Sequence, residues 1–246
     1  MSDSGMVGLR RLERAGLNAL PARHTIFLDG WIARVTGGSL RRANSVTCLH
    51  PDEPLNLAGR LDEIEAIYRR FNLPCIYRLT PLAPPSLEAA LEERGYAMAE
   101  EMLVMTARLT PPLRSRRNYA VAPPDGWFDV LGTGMSAARL AEEQDVLSLV
   151  ALPTYFILAS EGGKPACCAR FTLQGDLAGI FDLATIPEAR RTGLARQVMF
   201  ECIEGAGAYG ARIAWLQVLA SNHAAVALYR SLGFTEALRS HYRVPG

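Results

Sequence analysis

The chain has 246 residues, 49% of them apolar, which is enough for one large domain or two small ones around a sizeable core. With 26 basic and 25 acidic residues the formal charge is +1, so nothing in the balance calls for a nucleic-acid or membrane-surface partner. The five cysteines (Cys48, Cys75, Cys167, Cys168, Cys202) are scattered and form no C-x-x-C or Cys/His cluster, which speaks against a zinc or disulfide framework and for buried thiols in a reduced, cytoplasmic protein with no metal.

The N-terminal stretch MSDSGMVGLRRLERAGL reads as an amphipathic helix and not a signal peptide, because arginines interrupt every apolar run. Nowhere does an apolar stretch approach the roughly 18 residues that cross a bilayer. Residues 25–35 and 40–49 have strand character, with Gly37-Gly38 as the turn between them. Residues 55–71 carry Leu61, Ile64, Ile67 and Tyr68 at helical spacing, and PCIYRL follows as a short strand. SLEAALEERGY predicts a helix capped by Ser86 and stopped by Gly95, with EMLVMTARL as the next strand.

The segment PPLRSRRNYAVAPPDG, residues 111–126, gathers four prolines and a basic run and reads as a connection. It divides the chain into a smaller α+β half, 1–112, and a second half, 117–246. In the second half YFILAS, ACCARFTL and AGIFDLAT are three strands separated by EGGK and QGD turns. A helix begins near Thr192, with Leu194, Val198, Met199, Cys202 and Ile203 on one face and Gly205 as its stop. RIAWLQVLA is a strand, NHAAVALYRSL a helix stopped by Gly233, and EALRSHYRV a last strand. The fold class is a mixed α+β one.

GAGAYG, residues 205–210, has the G-x-G-x-x-G spacing of a dinucleotide loop. Such a loop needs a strand before it and a helix after it. Here the order is reversed, so NAD binding is not expected. The required context occurs earlier, in AGIFDLATIPEARRTGLARQVM, which runs from a strand through a proline-led turn into a helix. Gly193 and the small Ala195 leave the first-turn N–H groups open at the positive end of the helix dipole, and Arg190, Arg191 and Arg196 add charge. This describes an anion site suited to a pyrophosphate, although an empty helix start would look the same.

Residues Arg190-Arg191-Thr192-Gly193-Leu194-Ala195 match the [Q/R]-x-x-G-x-[G/A] motif of the GNAT superfamily of N-acetyltransferases. Asn222, Ala225, Leu228, Tyr229, Gly233 and Phe234 resemble that family's N-x-x-A-x-x-L-Y-x-x-x-G-F segment. The resemblance covers residues 155–244 and starts more loosely near 119. It implies a mixed sheet, flanked by helices, whose two central parallel strands splay apart to admit acetyl-CoA as co-substrate. Its pyrophosphate would lie on residues 190–196, its pantetheine arm along the backbone of Leu183, Ala184 and Thr185. In the first half, PPSLEAALEERGY echoes the second motif only, so a degenerate copy of the same fold and an unrelated α+β cap are both open.

Acetyl transfer to an amine needs a neutral amine, a donor to the developing oxyanion and a proton for the departing thiolate. The resemblance points to Tyr229 for the last role; a core tyrosine is the competing reading. Asn222 is explained by helix capping, and the resemblance adds a contact to the CoA arm. Asp182 interrupts an apolar strand, so it is either paired or faces the acceptor. Many relatives carry a glutamate where Phe181 stands here, which leaves the general base unassigned. His241 could reach the cleft or lie on the surface, and His223 is expected to face solvent. Asp29, Trp31, Arg41, Arg42 and Asn44 sit on a hairpin that could wall an acceptor pocket, where Arg41-Arg42 would suit a carboxylate. The expected partner is a small-molecule amine acceptor, with no nucleic acid and no membrane; a homodimer is compatible. A protein N-terminus or lysine as acceptor, and a non-catalytic acyl-CoA sensor, are the alternatives.

Overall fold

The computed structural model describes residues 3–110 and 118–246; the start of the proline-rich connection, 111–117, lies outside the described residues. The first half runs α1 (Asp3–Ala19), β1 (His24–Leu28), β2 (Trp31–Val35), β3 (Val46–Cys48), α2 (Leu57–Arg70), β4 (Tyr77–Leu79), α3 (Leu87–Glu93) and β5 (Tyr96–Arg108). The second runs α4 (Trp127–Leu131), α5 (Ala137–Ser148), β6 (Thr154–Glu161), β7 (Lys164–Gln174), β8 (Leu177–Thr185), α6 (Leu194–Ala208), β9 (Ile213–Leu219), α7 (His223–Ser231) and β10 (Thr235–Pro245).

All the strands join one mixed sheet in the order β1-β2-β3-β4-β10-β5-β9-β8-β7-β6. From either edge the pattern is the same. Three antiparallel strands lead to a fourth that is parallel to the third: β4 on β3, and β9 on β8. The fifth strands are exchanged. The first half's β5 pairs with β9, and the second half's β10 pairs with β4, while β5 and β10 run antiparallel to each other at the centre.

Strand β7 shows why both faces of this sheet must be covered. Its period-two alternation puts Cys167, Ala169 and Phe171 in the core under α6, and Cys168 in a second core with Trp127 and Val130 of α4. Each large apolar side chain buried this way contributes about 1.5–3 kcal/mol. All five cysteines are buried and free. Among the described residues, no helix is long and apolar enough to cross a membrane.

Several local expectations change. The first hairpin turns at Asp29 and Gly30, both at positive φ, with Leu28 facing Trp31 across a two-residue loop. Gly37-Gly38 instead begin a longer loop containing a 3-10 turn at Arg41–Ala43. Ser86 makes no side-chain cap; it is already helical, and its amide donates to Glu53 at 3.0 Å. Gly205 does not end α6. It lies inside the helix, where a Cβ would come within 2.7 Å of the Tyr119 ring and 2.9 Å of Phe171, so it serves close packing and the helix runs on to Ala208. Helices α4 and α5 were not read from the sequence, although Ser136 accepts a bond from Arg139 N as an ordinary N-cap.

Candidate active site

The parallel strands β8 and β9 pair only from Leu177–Ile213 to Gly179–Trp215. Beyond that point six residues of β8 and four of β9 continue without a ladder between them. Phe181 and Trp215 sit at this fork, edge to face with centroids 5.2 Å apart. A Cβ on Gly179 would lie 2.5 Å from Phe181 and 2.8 Å from Trp215, so glycine is what lets both rings occupy the crotch. On its other side β8 bulges: Cys168 faces Ala184 and Arg170 faces Phe181, leaving Asp182 and Leu183 opposite Ala169 alone. Asp182 has φ +60, and its carboxylate is held by the buried Arg170, whose guanidinium also stacks 4.5 Å over Phe181.

The fork opens into a cavity of about 570 Å³. Phe181, Leu183, Leu216 and Val218 supply apolar wall, and Asn222 and Tyr229 border it from the start and face of α7. The Tyr229 ring is buried in the core against Phe234, centroids 6.1 Å apart. No hydrogen bond engages its hydroxyl among the described residues. Burial, with a small contribution from Cys202, pushes the phenol up to about 12, so it stays protonated throughout the ordinary pH range.

After β8 the chain makes a 3-10 turn at Pro187–Ala189, then Arg190, Arg191 at φ +66, and Thr192, whose hydroxyl donates to Ala189 O at 2.8 Å. Gly193 caps α6 at φ +95; no side chain caps the helix, and nothing lies within 4 Å of where its Cβ would be. The first-turn amides are therefore left to a ligand or to water. Arg190, Arg191 and Arg196 form no ion pair among the described residues; Arg190 reaches Thr185 O at 3.4 Å and Arg196 reaches Ser231 Oγ at 2.8 Å.

A family model described as "Probable histone acetyltransferase Rv0428c C-terminal" matches residues 7–243. The chain belongs to that family, within the GNAT N-acetyltransferase superfamily. YobR, an N-acetyltransferase of Bacillus subtilis strain 168, is 27% identical over 252 residues, covering 97% of this chain and 99% of YobR. The [ribosomal protein bS18]-alanine N-acetyltransferase of Escherichia coli K12 is 40% identical over 84 residues, 34% of this chain and 57% of that protein. A GCN5-related N-acetyltransferase structure from Kribbella flavida covers all of this chain, and 97% of its own, at TM-score 0.66 and 17% identity, a likeness of fold.

In this N-acetyltransferase the residues expected around the acetyl donor fall into two groups. Asp182, Leu183, Ala184, Asn222 and Tyr229 border the cavity. Thr185 and 190–196 follow at the end of β8 and the start of α6, outside its lining. Asn222 also caps α7, accepting from Ala225 N at 3.1 Å.

The first-half residues separate further. Arg41 and Arg42 do border the cavity, whereas Asp29 is bound to Arg60 and Trp31 is buried in the first-half core. Asn44 is buried and ties down the loop, accepting from Thr36 N and Gly37 N and donating to Gly37 O and Leu40 O. His241 does not reach the cleft; its Nε2 lies 2.9 Å from Glu88 Oε1 on α3. His223 is exposed.

Sequence reading missed the lining residues Leu131, Met135, Arg139 and Glu143 of the α4–α5 region, and Glu100 and Tyr242 from the exchanged strands. Helix α5 and the 36–45 loop close over the cavity together, since Ser39 donates from both N and Oγ to Glu142 at 2.9 Å. The Ser136 cap could have revealed α5. Nothing local could have revealed Tyr242, because its position depends on the exchange of β10.

Proposed function

We propose that this N-acetyltransferase transfers the acetyl group of acetyl-CoA directly to the primary amine of a small molecule. The observation that carries the reading is the walled cavity at the fork of β8 and β9, with the Tyr229 hydroxyl unengaged at its border. The open amides at Gly193–Arg196, with Arg190 and Arg191, hold the donor's pyrophosphate. The backbone of Leu183–Thr185, released from β9 by the splay, holds the pantetheine arm, and one of its N–H groups stabilises the tetrahedral oxyanion. The amine nitrogen attacks the thioester carbon, the C–S bond breaks, and Tyr229 gives its proton to the departing sulfur. The proton lost by the nitrogen returns through solvent to the phenolate. Asp182, engaged with Arg170, holds the bulge that aims the strand; no residue is assigned as general base.

A small acceptor fits walls drawn from β5, the 36–45 loop, α4–α5, α7 and β10. A protein N-terminus is the second reading, favoured by the bS18-directed relative, whose match is confined to about a third of this chain. The test is product detection by mass with acetyl-CoA, a panel of small amines, and peptides beginning with alanine. Acetylated small amines with inert peptides support the proposal; the reverse pattern replaces it with the second reading. Binding of acetyl-CoA with neither product would leave a sensor module.

A further inference from the structure

The ion pairs around the cavity leave one charge over. Its three lining carboxylates each face an arginine: Glu100 lies 2.8 Å from Arg41, Glu143 2.7 Å from Arg139, and Asp182 is held by Arg170. Arg42 lines the same cavity and has neither an ion pair nor a hydrogen bond among the described residues. Tyr242 lines it too; the residue is 2% exposed and its hydroxyl is buried with no hydrogen-bond partner. Buried hydroxyls are almost always satisfied, so an orphan at a cavity wall asks for a ligand.

Behind Arg42 lies an annex of about 30 Å³, which shares Arg42 and Gln217 with the main cavity and is bordered by Arg34, Arg78 and Glu13. Arg78 is paired with Glu13. Arg34 donates only to the carbonyl oxygens of Leu17 and Leu20, at 3.3 and 2.8 Å. Three guanidinium groups thus share one carboxylate. Burial, with Arg78 and Arg42 close by, lowers Arg34 to about 10, the response of a cation held among cations. An anion entering beside Arg42 would relieve that imbalance.

We propose that the Arg42–Tyr242 end of the cavity is a carboxylate-binding subsite, and that the acceptor is an amino acid or a similar amino-carboxylate. The carboxylate accepts from the planar Arg42 guanidinium and from the Tyr242 hydroxyl, while the amine points to the fork. The Asn44-braced loop and its Ser39–Glu142 bonds hold Arg42 in place. The orientation of the acceptor rests on the acetyl-transfer reading; the subsite itself does not.

The test uses the full chain with acetyl-CoA and α-amino acids, β-alanine and 4-aminobutyrate, each beside its amide and an alkylamine of matched length. At least one acid should exceed its amide by roughly 30-fold or more in kcat/KM, as expected for a desolvated charge pair. Arg42→Met should bring that ratio close to one, mainly through KM, and Tyr242→Phe should narrow it several-fold. Melting temperature and CoA affinity report that each variant is folded.

Calorimetric binding of the same acids to the CoA-loaded protein gives a readout independent of turnover. Acids that bind in an Arg42-dependent way without being acetylated would keep the subsite and overturn acetyl transfer. Amides or alkylamines used as well as the acids, an acid-to-amide ratio unchanged by Arg42→Met, or no binding of any acid would each overturn the subsite.

Discussion

The two halves of the sheet start their central helices differently. In the first half α2 begins at Asn56, whose side chain accepts a bond from Gly59 N at 2.9 Å and so fills the helix start. In the second half α6 begins at Gly193, which has no side chain to offer and open space before it. The parallel strands differ in the same sense. Strands β3 and β4 each stop one residue after their last pair, Thr47–Arg78, whereas β8 and β9 run on past Gly179–Trp215 and part. Four residues before each half's helix-ending glycine stands Leu91 in the first half and Tyr229 in the second. One topology thus occurs twice. A ligand site arises only where the helix start is left uncapped, the strands outrun their pairing and a hydroxyl replaces a methyl group.

The largest effect should come from separating the halves. A chain of residues 117–246 lacks β5, which supplies seven register pairs to β9 and lies between β9 and β10. It should fail to fold cooperatively and should aggregate through its bare strand edges. Far-UV melting and size-exclusion chromatography would show this, with co-expression of the first half restoring a folded complex. A monomeric fragment that melts cooperatively would mean that the halves are independent despite the exchange.

Tyr229→Phe should lower kcat by about 10²- to 10⁴-fold while CoA affinity and melting temperature change little. A core-only role predicts a lower melting temperature with turnover per folded molecule kept. Because the folded phenol is raised to about 12 from an unfolded value near 10, it should give no descending limb in the kcat profile below that range. The same shift makes stability fall as pH climbs from about 10 towards 12, since only the unfolded chain has ionised there.

Gly193→Val tests the open helix start. An L side chain at φ +95 is strained by about 1–3 kcal/mol, and its branches occupy the approach to the amides. CoA at 100 times its dissociation constant should stabilise the parent by about 2.7 kcal/mol, and that thermal shift should vanish in the variant. A preserved shift would put the phosphate site elsewhere. The smallest effect belongs to the other helix: Asn56→Ala should cost about 0.5–2 kcal/mol of stability and leave CoA affinity unchanged. A loss of CoA affinity there would show that the first half also takes part in donor binding.

The sequence by itself determined what depends on neighbours along the chain. Strand and helix order, the uncapped turn before α6, the Asn222 cap and the reversed context of GAGAYG were all legible, because periodicity, capping and glycine placement are local. Only tertiary structure decided the rest. The partner of Asp182 is twelve positions away on β7, and the splay comes from two rings meeting across strands at Gly179. Gly205 looked like a helix stop because a glycine kept for close packing against Tyr119 has the same letter as one kept for its backbone freedom. Arg42 and Tyr242 lie 200 positions apart and border one cavity because β10 crosses into the first half's sheet. Strand exchange leaves no local mark, since both partners satisfy the same alternating pattern wherever they pair.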